Sequence, residues 1–128
     1  MSIERVRTGG AWERALGSSR AVAAGDLVLV AGSAPPAAGA DAGDPYEQAR
    51  AALAGAVAAL EPFGLGAESV IRTRLYLSHA RDAEDVQRAH REVFASVGPV
   101  VTMVVVSGFA DSRVLVEVEL EAYRGAVT

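Results

Sequence analysis

The chain has 128 residues, 51% of them hydrophobic, with no cysteine, a net charge of −4 and arginine at all twelve basic positions. By length this predicts one domain, able to bury roughly two thirds of its unfolded surface. The totals exclude a disulfide framework, a thiolate nucleophile, zinc-finger spacing and, for want of lysine, a Schiff base or covalent pyridoxal phosphate; no cofactor is expected.

Taken in chain order, "SRAVAAGDLVLVAG" predicts two strands around a tight turn at Ala24-Gly25-Asp26. "APPAAGADAGD", Ala34 to Asp44, predicts an exposed loop. A helix follows. Asp44 fits its N-cap, Pro45 its first position and Glu47 the third, as in a capping box. Tyr46, Ala49, Leu53, Val57 and Leu60 make its apolar stripe, and Pro62 and Gly64 stop it.

"SVIRTRLYL" alternates with period two, so Ile71, Thr73, Leu75 and Leu77 oppose Arg72, Arg74 and Tyr76. A second helix is expected from near Asp82, with Ala83, Val86, Ala89, His90, Val93, Phe94 and Val97 inside and Gly98-Pro99 at its end. "PVVTMVVVSG" reads as a strand, apolar on both faces. "RVLVEVELEAY" reads as the last strand, with Val114, Val116, Val118 and Leu120 opposite Leu115, Glu117, Glu119, Glu121 and Tyr123.

The order β-β-(β)-α-β-α-β-β predicts an α+β fold, a mixed sheet with two helices packed on one face. No Gly-rich loop joins a strand to a helix, which argues against a nucleotide fold. The other sheet face, carrying Arg72, Arg74, Glu117, Glu119 and Glu121, is left uncovered. Val101, Met103 and Val105, with Leu27, Leu29 and Ala31, are expected to add an apolar patch there and to drive homo-oligomerisation.

No apolar run approaches the ~18–20 residues of a membrane span, and "MSIERVRTGG" has no signal-peptide core, so a cytoplasmic protein with no membrane contact is expected. Arginines interleaved with acids, as in "RDAEDVQRAHRE", mark a solvated helix face rather than a nucleic-acid surface. Ser18 and Ser19 have no histidine or acid beside them in sequence, so no nucleophilic triad is supported, and His79 and His90, far apart, give only a weak metal signal.

"SRAVAAGDLVLVAGSAP", "AALAGAVAAL", "VIRTRLYLSHARDAEDVQRAHREVF" and "VLVEVELEAY" together resemble the Rid family, also called YjgF or reactive intermediate deaminase proteins. The resemblance covers nearly the whole chain in the right order. It implies a chorismate-mutase-like fold and a homotrimer with sites in clefts between subunits. It further implies hydrolysis of enamines or imines, such as 2-aminoacrylate, to ketones and ammonia, with no metal. In that family an arginine binds the substrate carboxylate, a tyrosine stands near the first hairpin and a glutamate positions water. Aligned on "VEVE", these positions fall at Val101, Ser18 and Glu117, with the small polar residue of the hairpin near Ala31-Gly32.

The chain thus keeps the glutamate and lacks the arginine and the tyrosine. Valine cannot replace a bidentate guanidinium contact. The expected substrate is therefore a small, relatively apolar imine, enamine or related electrophile. Glu117 is the candidate catalytic residue, or else it pairs with Arg72 or Arg74 across the sheet. Val101 and Met103 are candidate pocket walls, or simple core. Arg74 is a cation near the cleft. His90 is a proton shuttle or a packed interface histidine, and Trp12 closes over a ligand or plugs a groove at the trimer edge. The alternative to an enzyme is a non-catalytic trimer that binds an apolar metabolite or a partner protein. RNA cleavage, attached to some relatives, is opposed by the negative charge and the missing lysines.

Overall fold

The computed structural model describes residues 2–36 and 43–125. The middle of the expected Ala34–Asp44 loop, 37–42, lies outside them. The elements are β1 (Ile3–Val6), α1 (Ala11–Leu16), β2 (Ala21–Ala24), β3 (Leu27–Ser33), α2 (Pro45–Ala58), β4 (Val70–Leu77), α3 (Ala83–Phe94), β5 (Val100–Val105) and β6 (Val116–Tyr123). The strands form one mixed sheet in the order β1-β2-β3-β6-β4-β5, antiparallel except for the β4–β5 pair. Helices α2 and α3 pack on one face of it, as expected.

Local chemistry accounts for the boundaries. Ala24 pairs with Leu27 across a two-residue turn, and Gly25 takes φ 60°, which a primed hairpin turn requires. At α2, the Asp44 carboxylate accepts from Glu47 N–H at 2.8 Å while the Glu47 side chain accepts from Asp44 N–H, a complete capping box. Helix α3 starts one residue after the expected Asp82, because residues Ala80–Asp82 form a 3-10 turn first.

The core lies between the sheet and the two helices. Val28, Val30, Leu75, Leu77, Val116, Val118 and Leu120 of the sheet meet Ala49, Ala52, Leu53, Ala56, Val86, Ala89 and Phe94 of the helices. Gln48 is the polar strut of this layer. Its amide accepts from Leu115 N–H at 2.8 Å and donates to the Arg113 carbonyl at 3.1 Å, tying α2 to the loop before β6.

The register corrects three expectations. Val101, Met103 and Val105 pair with Thr73, Leu75 and Leu77, so they belong to the helix side of the sheet, and Met103 packs against the core. The open face receives Val100, Thr102 and Val104 instead. Ile71 is exposed, because a bulge between Val70 and Arg72 puts Val70 in the core. The sheet also extends past the expected hairpin, through the edge strand β1.

Candidate functional site

The site is built at one end of β3. Val30 pairs with Leu120 and Ser33 with Val118, so three steps on β3 match two on β6. One extra residue makes a β-bulge at Ala31-Gly32, the kind of irregularity that redirects groups near binding sites. Arg20 holds the bulge. Its guanidinium donates to the Ala31 carbonyl at 3.1 Å, to Ser33 Oγ at 2.6 Å and to the Gly55 carbonyl of α2 at 3.2 Å. Burial pushes the Arg20 pKa down, partly offset by the charge of Glu13.

Glu117 stands on β6 directly against this bulge. A Cβ on Gly32 would lie 2.9 Å from Glu117 Oε1. Its register partner is Tyr76, whose hydroxyl donates to Glu119 at 2.5 Å. Arg74 is taken by Glu119 at 3.4 Å and Glu121 at 3.2 Å. Among the described residues Glu117 therefore has no ion pair and no side-chain hydrogen bond, and the expected alternative of pairing with Arg72 or Arg74 is not what forms. Desolvation, then the neighbouring charge of Glu119, pushes its pKa up from 4.5.

A cavity of about 640 Å³ opens over this pair. It is lined by Trp12, Glu13, Leu16, Ser18, Ser19 and Arg20, by Ala31 to Ala34 and Glu117, and by Phe109, Ala110, Asp111 and Val114 of the rim loop before β6. The rim loop is braced by Arg113, which donates from Nε (3.0 Å) and a terminal nitrogen (2.8 Å) to the Asp111 carboxylate. That contact lowers the Asp111 pKa to about 2.

The structure thus brings Trp12, Ser18, Ala31, Gly32 and Glu117 together and leaves four candidates elsewhere. Arg74 is held on the open sheet face, away from the cavity. Met103 is partly buried and packs against the core. Val101 sits on the outer edge strand, 46% exposed, and does not line this cavity. His90 is 9% exposed under the sheet, 2.8 Å from Thr73 Oγ1 and stacked obliquely on Phe94; it does not line this cavity, and burial lowers its pKa.

Sequence reasoning missed Arg20, a cation in the wall of the site, where only Arg74 was expected to bring positive charge near. It also missed Phe109 and Asp111. The bulge is what brings Arg20 in, and period-two patterning carries no sign of a bulge. Among the described residues there is no cluster of three or more His, Cys, Asp or Glu able to hold a metal, and no helix long and apolar enough to cross a membrane.

A mixed six-stranded sheet with two helices on one face, and a half-buried glutamate against a bulged strand, defines a class. The family model described as Endoribonuclease L-PSP matches residues 12–124, and the chain belongs to that family, the YjgF or Rid proteins. It is 57% identical over 130 residues to the uncharacterised protein SCO2049 of Streptomyces coelicolor, across 98% of this chain and 96% of that one. Among solved structures it is similar to Rv2704 of Mycobacterium tuberculosis, described as a member of the highly conserved YjgF/YER057c/UK114 family. The two share 36% identity over 95% of this chain and 99% of that one, with a TM-score of 0.86. The YjgF gene product of E. coli shares the fold, with a TM-score of 0.76 at 21% identity over 94% and 93% of the two chains.

Proposed function

We propose that this chain is a Rid-type hydrolase of an arginine-less branch, assembled as a homotrimer, which converts a small, relatively apolar imine or enamine to a carbonyl compound and ammonia. The observation that carries the reading is Glu117. It is a half-buried carboxylate with no partner among the described residues, facing a cavity, while its neighbours Glu119 and Glu121 are both engaged by Arg74. A raised pKa suits a general base working near neutrality.

The chemistry needs little else. An enamine first takes a proton on carbon to become the iminium. Glu117 then removes a proton from water as the water oxygen bonds to the iminium carbon and the C=N electron pair moves to nitrogen. The resulting carbinolamine takes the proton back from Glu117 on nitrogen. The C–N bond breaks, C=O forms, and the hydroxyl proton leaves with the nitrogen as ammonium. Polar backbone groups at the Ala31-Gly32 bulge stand beside the reacting oxygen.

In the trimeric reading the cavity lies between subunits, and Val101, exposed on the outer edge of β5, is contributed by a neighbouring copy. The open sheet face supports assembly, because Leu27, Leu29, Val100, Val104 and Tyr123 are all exposed on it. No side chain at 101 can hold a carboxylate, and Arg20 already serves three acceptors. The substrate accordingly lacks a carboxylate at that point. RNA, a polyanion, is disfavoured by the −4 net charge and by Glu13, Asp111 and Glu117 in one cavity.

The test is release of ketone and ammonia from a neutral imine and from 2-aminoacrylate, by wild type and Glu117→Gln, with mass measured by light scattering. The reading expects the neutral imine to be preferred and the variant to lose at least tenfold in turnover as an intact trimer. Unchanged turnover removes Glu117 from the mechanism and leaves a binding protein.

A further inference from the structure

Helix α1 is an odd use of apolar residues. None of its six residues is buried, and Trp12 and Leu16 are 66% and 70% exposed. They are four apart, hence on one helix face, and that face looks into the cavity above Glu117. Glycines with positive φ bracket the helix, Gly9 at 77° and Gly17 at 70°. Thr8 donates from its N–H and its hydroxyl to the Glu13 carboxylate, and Ser18 N–H donates to the Glu13 carbonyl at 2.9 Å. The helix is therefore fixed by polar contacts at its ends, and its apolar face is left without a partner.

The rest of the cavity lining points the same way: Phe109 and Val114 add to the apolar surface that Trp12 and Leu16 present.

We infer that the substrate taken at Glu117 carries an aromatic or branched apolar group that packs on Trp12 and Leu16, so that α1 is the specificity element of the site. The inference rests on the imine-hydrolase reading. The electrophilic carbon sits at the Gly32 bulge, and the apolar group lies across the indole, where aromatic contact area is large and orientation is set.

Trp12 is the sole tryptophan, so its fluorescence reports directly on this contact. Two cyclic imines, 2-phenyl-1-pyrroline and 2-methyl-1-pyrroline, are titrated into the full chain. Calorimetry repeats the measurement on Trp12→Ala and Trp12→Phe. The cyclic imines serve as binding probes only, because their ring-opened amino ketones close again; ammonia release is read separately on the acyclic imines that an amine oxidase forms from 1-phenylethylamine and isopropylamine. The phenyl compound is expected to bind at least tenfold tighter, with quenching of Trp12. Trp12→Ala should reduce that advantage below threefold and Trp12→Phe should restore most of it. Equal affinities, or a phenyl preference that survives Trp12→Ala, overturn the inference. So does loss of the oligomer in Trp12→Ala with the preference intact, which would make Trp12 a subunit contact. If the phenyl preference depends on Trp12 but neither acyclic imine is hydrolysed faster than in buffer alone, apolar selection stands and hydrolysis fails. If both are hydrolysed with equal KM, hydrolysis stands and the selection fails.

Discussion

The Glu117 carboxylate rests against Gly32 so closely that a methyl group on residue 32 would stand 2.9 Å from Oε1. The obstructing atom is the tip of a flexible side chain, so the carboxylate and not the backbone gives way. Gly32 has no positive φ to defend, and Gly→Ala at such a position is neutral or stabilising by about 0.4–1 kcal/mol. Gly32→Ala is expected to keep its melting temperature and lose at least tenfold in imine turnover. A folded variant with full turnover would show that Glu117 need not sit where it does.

Glu117 also links activity to stability. Its folded pKa is raised, so its contribution to stability is fully present below pH 4.5 and is lost as pH rises through the folded value. At neutral pH the ionised carboxylate is a burden on the fold that glutamine does not carry. Glu117→Gln is therefore expected to melt higher than wild type at pH 7, with the gap closing as pH falls toward 4.5. In wild type the acid limb of kcat/KM should follow protonation of Glu117 and lie above pH 4.5. Thermal melts and a pH–rate profile check both, and a variant that melts lower at pH 7 would contradict the assigned burden.

Much of this architecture was legible because single signals were unambiguous. Asp44, Pro45 and Glu47 spell a helix start that forms as read, and Val116, Val118 and Leu120 alternate cleanly against acids. The strand "VVTMVVV" carries no alternation, so nothing in it says which face Val101 and Met103 take. Only the pairing with Thr73 and Leu75 decides, and it puts them on the helix side. The strand β1, "IERV", is short, charged and exposed, and lacks any hydrophobic pattern. The resemblance names Ser18, Ala31, Gly32 and Glu117 as site positions, and these line one cavity together with Trp12, which the sequence singles out as an N-terminal tryptophan. Arg20 escaped notice because its role depends on a bulge eleven residues away.

Arg20 satisfies the Ala31 and Gly55 carbonyls and Ser33 Oγ at once, from a planar fork. Arg20→Met removes donors from two partly buried acceptors, Ser33 Oγ and the Gly55 carbonyl, and from the exposed Ala31 carbonyl, and is expected to cost about 1–3 kcal/mol. Lysine has the charge without the fork, so Arg20→Lys should recover only part of that loss. Urea unfolding measures the cost. Turnover should fall in both variants, because the bulge that sets Gly32 against Glu117 loses its clamp. Unchanged unfolding in Arg20→Met would mean the guanidinium is incidental to the bulge.

His90 gives the fold its own pH response, separate from the site. It contacts the Thr73 hydroxyl and the Phe94 ring, neither of which carries a negative charge to offset the burial of an imidazolium. Burial lowers its pKa below 6.5, so the unfolded chain binds the proton more readily than the folded one. The stability that follows is complete above pH 6.5 and is lost as pH falls from there through the folded value. His90→Gln keeps a group able to bond Thr73 Oγ1 but cannot take up the proton. Wild type should therefore lose more melting temperature than His90→Gln between pH 7.5 and about pH 5. Parallel curves would mean that water or rearrangement relieves the buried imidazole, and the histidine would then not be the acid-sensitive point of the core.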